Sequence, residues 1–212
     1  MSKRLLTLLA LLTFLLQAEA SVAATTLSVP EDSKSIQGAI DTAAAGDTIV
    51  VGDGLYTENL VIDKTLLLRS KGGWGSTTIE ASKKSLPTVK VTGAAAVSIE
   101  GFTMTGSNDS GLTLDNAEGT VISNNLMTGN LNGISILYSN RSAIKGNVVE
   151  KNVQYGVYLN NSASNTLEDN TVRSNADKGI YITFSDKNII TGNRSYLNRW
   201  DGLLLWSSNN NI

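Results

Sequence analysis

The sequence predicts an all-β chain wound as a single-stranded parallel β-helix, and three observations carry the prediction. Gly111, Gly133, Gly156, Gly179 and Gly202 fall 22, 23, 23 and 23 residues apart. Each opens an apolar–x–apolar triplet, in GLTL, GISI, GVYL, GIYI and GLLL. Two asparagine series keep the same step: Asn125, Asn147, Asn170 and Asn193, then Asn130, Asn152, Asn175 and Asn198 five residues further on. A fixed period of this length is the signature of a solenoid.

Side chains alternate between faces along a strand, so each triplet turns both apolar residues to one side. Three short strands per repeat cannot bury those sides alone. Stacked, each pairs in parallel with its copy one turn away, about 4.8 Å along the axis, and the core closes. Leu114, Ile136, Leu159, Ile182 and Leu205 are expected to form one inward ladder. The asparagines are expected to form hydrogen-bonded amide ladders at the corners, where they also tolerate a left-handed backbone. Met104 and Met127 share one position in adjacent coils, filled by Val149 and Val172 in the next two. That reads as stacked core rather than as thioether ligands.

At the N-terminus, Lys3 and Arg4 precede Leu5 to Leu16, apolar except for two threonines, and cleavage sites follow at Ala20 or Ala23/Ala24. Residues 1–24 therefore read as a signal peptide, too short to span a bilayer comfortably. No later segment approaches spanning length. The mature chain is expected to be exported, periplasmic or extracellular, with no membrane span.

Residues 25–96 read as a cap followed by irregular first coils. In SKSIQGAIDTAAAGD, Ile36, Ile40, Ala43 and Ala44 fall at helical spacing, with Ser33 or Ser35 as N-cap and Gly46 as the stop. This short helix is expected to cover the open end of the core, as repeat arrays require. TIVVGDGLYTENLVIDKTLLLRS then reads as three strands. Residues 97–212 are the regular coils of about 23 residues. The chain stops within NNNI, just short of the next apolar–x–x–Asn series. This reads as a chain truncated mid-array, or as one whose open end meets a partner, and the edge beside Leu203 and Leu205 is expected to be prone to self-association.

Composition removes several classes of function. Without residues 1–24 about 190 residues remain, with 15 basic against 18 acidic side chains, net −3. No basic footprint for nucleic acid exists. There is no Cys, hence no disulfide framework. There is also no His, which removes the commonest general base and the commonest transition-metal ligand.

With these motifs in hand, SIQGAIDTAAAGDTIVVGDGLYTENLVIDKTLLLRS resembles the opening segment of exported pectin-lyase-like right-handed β-helix proteins. The GI-x-I coils, with their N-x-(I/L)-x-x-N corners, resemble the repeats of the NosD family. That resemblance implies a right-handed solenoid and a periplasmic accessory role in nitrous oxide reductase maturation, beside a protein partner. It also implies an association with copper, which the residues themselves do not support. No cofactor is expected. Other carriers of these coils bind or cleave polysaccharide.

The outward positions of the glycine-led strand decide among these roles. They read Thr113, Ser135, Tyr158, Tyr181 and Leu204, then Asp115, Leu137, Asn160, Thr183 and Trp206. The Asp-Pro-His-Asp run of alginate-type epimerases, which the resemblance would place here, is absent. Glycoside hydrolysis needs two facing carboxylates; Asp177 and Asp201, near one corner of adjacent coils, are the best pair, although corner aspartates mostly cap turns. Tyr158, Tyr181 and Trp206, with Tyr155 and Trp200 at the preceding corner, offer faces for sugar rings, and Asp177 and Asp201 offer acceptors for hydroxyls. Aromatics also simply suit strands. The expectation is a non-catalytic protein binding a polysaccharide or cell-envelope glycan, or a periplasmic accessory protein. The alternatives are a polysaccharide lyase, hydrolase or epimerase with degenerate or missing catalytic coils, and a structural or adhesive surface solenoid.

Overall fold

The structure, a computed structural model, describes residues 23–93 and 96–212. The signal-peptide reading falls almost wholly on residues 1–22, outside the described residues. Among those described, the strands form three parallel sheets running the length of the stack, with eight, seven and seven members. Each coil contributes one strand to each sheet, and every ladder pairs a strand with its copy one coil away. Sheet 1 runs from Thr26–Val29 to Ile189–Thr191, sheet 2 from Gly54–Thr57 to Arg194–Tyr196, and sheet 3 from Leu60–Ile62 to Leu203–Trp206. The parallel β-helix expected from the 23-residue step is the fold.

The predicted inward ladder stands in register as Leu114, Ile136, Leu159, Ile182 and Leu205, and Val91 and Ile62 extend it backwards. All but Leu205 are fully buried. Leu203 and Leu205, on the end strand of sheet 3 among the described residues, are 44% and 42% exposed. Met104 pairs with Met127, and Val149 and Val172 follow in the same row, all with no exposed surface. Parallel strands covered this way read as branched aliphatic rows, which is the composition found here.

The corners are held by side-chain amides. Asn170 shows the full pattern. Its Oδ1 accepts from the backbone N–H of Asn147 and from Asn147 Nδ2, both at 3.0 Å. Its Nδ2 donates to the Ile144 carbonyl at 2.7 Å and to Asn193 Oδ1 at 2.9 Å. The second series repeats this through Asn130, Asn152, Asn175 and Asn198. Phe102 stands where the first series would begin, its ring filling the core and its N–H donating to Asn125 Oδ1 at 2.9 Å.

Three details differ from the sequence reading. The left-handed backbone belongs to the residue before each ladder amide. Asn124, Gly146, Asp169 and Gly192, with Gly129, Lys151, Ser174 and Leu197, have φ between 53° and 68°. That residue turns the corner in solvent, and the next side chain is left pointing into the stack. Two further ladders occupy the remaining corners. Ser139, Ser162, Ser185 and Ser208 form one, and Asn165, Asn188 and Asn211 the other. Finally, the segment read as three strands holds four, because Leu67–Ser70 already starts the next coil and pairs with Thr48–Val51.

Helix α1, Ile36–Thr42, begins at Ser35, whose side chain accepts from the Gly38 N–H. Ile36, Ala39 and Ile40 pack onto the end of the core, as a cap must. The helix ends well before Gly46: Ala43 is already extended, and Ala44 is exposed rather than on the apolar face. Thr42, β-branched, bonds its hydroxyl back to the Gly38 and Ala39 carbonyls. Glu58, from the following coil, chelates the first turn, accepting from the N–H groups of Ile36 and Gln37 at 2.9 Å each. A carboxylate on orphan helix donors is a charge-assisted bond. Glu58→Ala is expected to lower stability by about 2 kcal/mol, read as an earlier urea transition, with Glu58→Gln intermediate.

Candidate functional site

Sheet 3 presents two outward rows, and its register sets what stands beside what. One row reads Lys90, Thr113, Ser135, Tyr158, Tyr181 and Leu204. The other reads Thr92, Asp115, Leu137, Asn160, Thr183 and Trp206. These are the outward positions expected from the alternation.

The tyrosines gather as the sequence suggested. Tyr158 and Tyr181 stack with ring centroids 5.5 Å apart and planes 27° apart. Tyr155, at the preceding corner, lies 5.4 Å from Tyr158 and 5.3 Å from Tyr181. Lys178 covers this cluster, its Nζ 5.6 Å above the Tyr155 ring and 5.4 Å above that of Tyr181, and it pairs with Asp177 at 2.9 Å. The bond to Asp177 raises the Lys178 pKa against partial burial, and the charges of Asp177 and Asp201 add to it. Burial raises Tyr155 and Tyr158 above the usual phenol range, with Asp177 adding to Tyr155 and Tyr181 to Tyr158. Near neutral pH Lys178 is therefore an ammonium and Tyr155 and Tyr158 are uncharged phenols.

The other candidates are placed apart. Trp206 lies on the same face but in the second row, 58% exposed, and Trp200 is 65% exposed. Neither ring makes an aromatic contact with the tyrosines. Asp177 and Asp201 sit one register position apart. Asp177 is level with Trp200, whose N–H donates to the Asp177 carbonyl. Asp201 is level with Lys178 and Tyr155, through the chain of bonds from Gly179 and Gly156 to their carbonyls. Counting from the glycines explains the offset, since Asp177 precedes Gly179 by two residues and Asp201 precedes Gly202 by one. Asp177 faces an ammonium, so the geometry gathers an ion pair over aromatics rather than two opposed carboxylates.

A groove of about 390 Å³ continues this face towards the N-terminal coils. Leu86 and Pro87 wall it, Thr113 and Ser135 line it, the Lys90–Asp115 ion pair crosses it at 2.8 Å, and Tyr158 closes the end beside the tyrosine cluster. The wall belongs to an inserted loop, residues 82–87, which is pinned from both sides. Asn59 Nδ2 donates to the carbonyls of Lys83, Leu86 and Pro87, and its Oδ1 accepts from Ser82 Oγ and the Lys83 N–H. Ser107 Oγ donates to the Leu86 carbonyl at 2.7 Å. The sequence reading missed this wall. Its signal was the irregular SKKSLP, which holds one of only two prolines in the chain. A larger hollow of about 570 Å³ near Pro30 is bordered by Glu31, Asp53, Arg69 and Lys71, all exposed and of both signs.

Comparison with known proteins follows the same lines. Residues 40–212 match the family described as periplasmic copper-binding protein (NosD). A cell surface glycoprotein of Methanothermus fervidus is 40% identical over 103 residues, 47% of this chain and 16% of that relative. The chain thus spans only a small part of that relative's length. Among solved structures, a pectate lyase aligns with a TM-score of 0.72 at 12% identity, over 83% of this chain and 55% of its own. The mannuronan C-5 epimerase A-module of Azotobacter vinelandii aligns at 0.65 and 18%, over 83% and 63%. An alginate lyase from Paenibacillus aligns at 0.60 and 15%, over 80% and 75%. These likenesses show the fold, the right-handed pectin-lyase-like solenoid. The family's description names copper, and the donors here do not fit it. There is no His or Cys, and the two methionines among the described residues are sealed in the core. No group of three or more His, Cys, Asp or Glu among the described residues is arranged to hold a metal.

Proposed function

This chain belongs to the NosD family, and on that premise we propose that it is an exported, non-catalytic glycan-binding protein whose ligand lies on the outer face of sheet 3. One observation carries the reading: a preformed groove whose lining includes Tyr158, a ring that itself stacks on Tyr181. Ligand sites are concave and preformed, with apolar walls and a few convergent polar groups. Leu86, Pro87 and Leu137 supply the apolar part, and Asn132, Asp115 and Tyr158 the polar part. Tyr158 is the contact aromatic, because it lines the groove. Tyr155 and Tyr181, already covered by Lys178, hold its ring in place.

Export is supported by the family's periplasmic description and by the cell-surface relative. No helix among the described residues is long and apolar enough to cross a membrane. The structural neighbours, named as polysaccharide enzymes, support a sugar polymer as the ligand class. Family membership also favours a second reading, an accessory protein docked on a periplasmic partner.

A glycan array with the purified protein tests the first reading. Tyr158→Ala is expected to weaken retention at least about tenfold, the effect of truncating a buried aromatic anchor. Leu55→Ser, on the outer face of sheet 2, serves as the control and leaves retention unchanged. Equal retention of wild type and Tyr158→Ala would move the ligand off this face.

A further inference from the structure

We infer that this face takes an uncharged glycan and rejects polyuronates. The inference rests on the glycan reading above and specifies its ligand by charge. Pectate, alginate and mannuronan, the polymers named for the structural neighbours, carry one carboxylate on each sugar. A groove for such a chain needs cations free to meet those carboxylates, as lysine and arginine do wherever carboxylate is recognised.

No such cation lines this groove. Its one lysine, Lys90, is bound to Asp115 Oδ2 at 2.8 Å, and Asp115 Oδ1 is taken by Asn116 Nδ2 at 2.8 Å. Asp109, also in the lining, accepts from Ser110 Oγ and has no basic partner. At the tyrosine end Lys178 is bound to Asp177, and Asp201 stands level with Lys178 on the next coil. The lining of the groove therefore holds one ammonium, already paired, against two carboxylates, Asp109 and Asp115. Lys83 and Lys84 belong to the walling loop but do not line the groove. A polyuronate laid here would meet the Asp109 carboxylate, which has no basic partner, with like charge.

What remains suits hydroxyls. Asn132 and Tyr158 donate and accept without net charge, and the ion-paired Asp115 still offers acceptor lone pairs, while the Thr113 and Ser135 hydroxyls beneath them are buried. Leu86 and Pro87 suit the apolar face of a pyranose ring. Because the wall is pinned by Asn59 and Ser107, little ordering cost is left for the moment of binding.

Calorimetric titration of the purified protein with neutral hexasaccharides (gluco-, manno- and N-acetylglucosamine series) and with hexa-uronates of the galacturonate and mannuronate series tests the inference. Each is run in chelator and again with added calcium, at low salt. At least one neutral series is expected to bind, and both uronates to bind at least about tenfold more weakly, a difference of 1.4 kcal/mol or more. Added salt screens repulsion, so it should narrow that ratio, as should Asp109→Asn. Uronate binding equal to or tighter than the neutral series, with or without calcium, overturns the inference and leaves the glycan reading standing. Silence from every series on the titration and on the array overturns the glycan reading itself.

Discussion

Replacing Asn170 with alanine is expected to cost about 3 to 5 kcal/mol of stability. The amide makes four hydrogen bonds at a position with 1% exposure. Its removal orphans the Asn147 N–H, takes a second donor from the Ile144 carbonyl, and leaves Asn147 Nδ2 with only the Ile122 carbonyl. Each buried orphan costs about 1–3 kcal/mol. Asp is no substitute, since it cannot donate to Ile144 and would bury a charge. The loss should fade along the ladders towards the last coil. Asn211→Ala removes bonds that are only partly buried and should cost a fraction of the Asn170 value. Urea unfolding followed by circular dichroism measures both; equal losses at Asn170 and Asn211 would contradict the stacking account.

Gly156→Ala is expected to destabilise by about 3 kcal/mol, the upper range for forcing volume into a packed stack. The reason is close approach rather than backbone freedom, for Gly156 is not left-handed. A Cβ there would lie 2.6 Å from the Gly179 carbonyl oxygen and 2.8 Å from Asn175 Nδ2, and closer still to Val172. The carbonyl is fixed, because it accepts the Val157 N–H at 2.8 Å. Gly202 occupies the same repeat position, yet a Cβ there meets nothing nearer than 3.4 Å. Gly202→Ala should therefore fold like wild type. Thermal unfolding of the two variants side by side distinguishes them, and similar melting temperatures would rule out this reading of the glycine series.

Those glycines show why so much of the fold was legible. Parallel stacking makes one coil the template for the next, so whatever one corner needs, its copies need too. Period, inward rows and two amide ladders all follow from that constraint. The Ser139 and Asn165 ladders were harder to see, because short hydroxyls and amides substitute for one another there. Ser142 stands in the row that Asn165 continues. The left-handed residues were assigned one position late, since Asn is also the residue that tolerates that backbone. Asp169, Lys151 and Leu197 tolerate it less well, and they occupy it here because the stack over-determines the turn.

The site was legible only where it repeats. Tyr158 and Tyr181 lie one period apart, so their stacking could be read directly. Asp177 and Asp201 both stand near a glycine in the sequence, and an offset of a single residue sets them at different register positions. The groove wall was invisible to periodicity, because the 82–87 loop interrupts the coil and has no copy. Its position depends on Asn59 in the coil before and Ser107 in the coil after. Copper, which only the family resemblance implies, is the reverse case: the family's description and the donors of this chain disagree.

The most direct measurement is a crystal structure of the protein soaked with the tightest-binding glycan from the array. The account predicts sugar rings on sheet 3, against Leu86 and Pro87 at one end and over Tyr158 at the other. A glycan seated on sheet 1, on sheet 2 or in the hollow near Pro30, with sheet 3 bare, would contradict it.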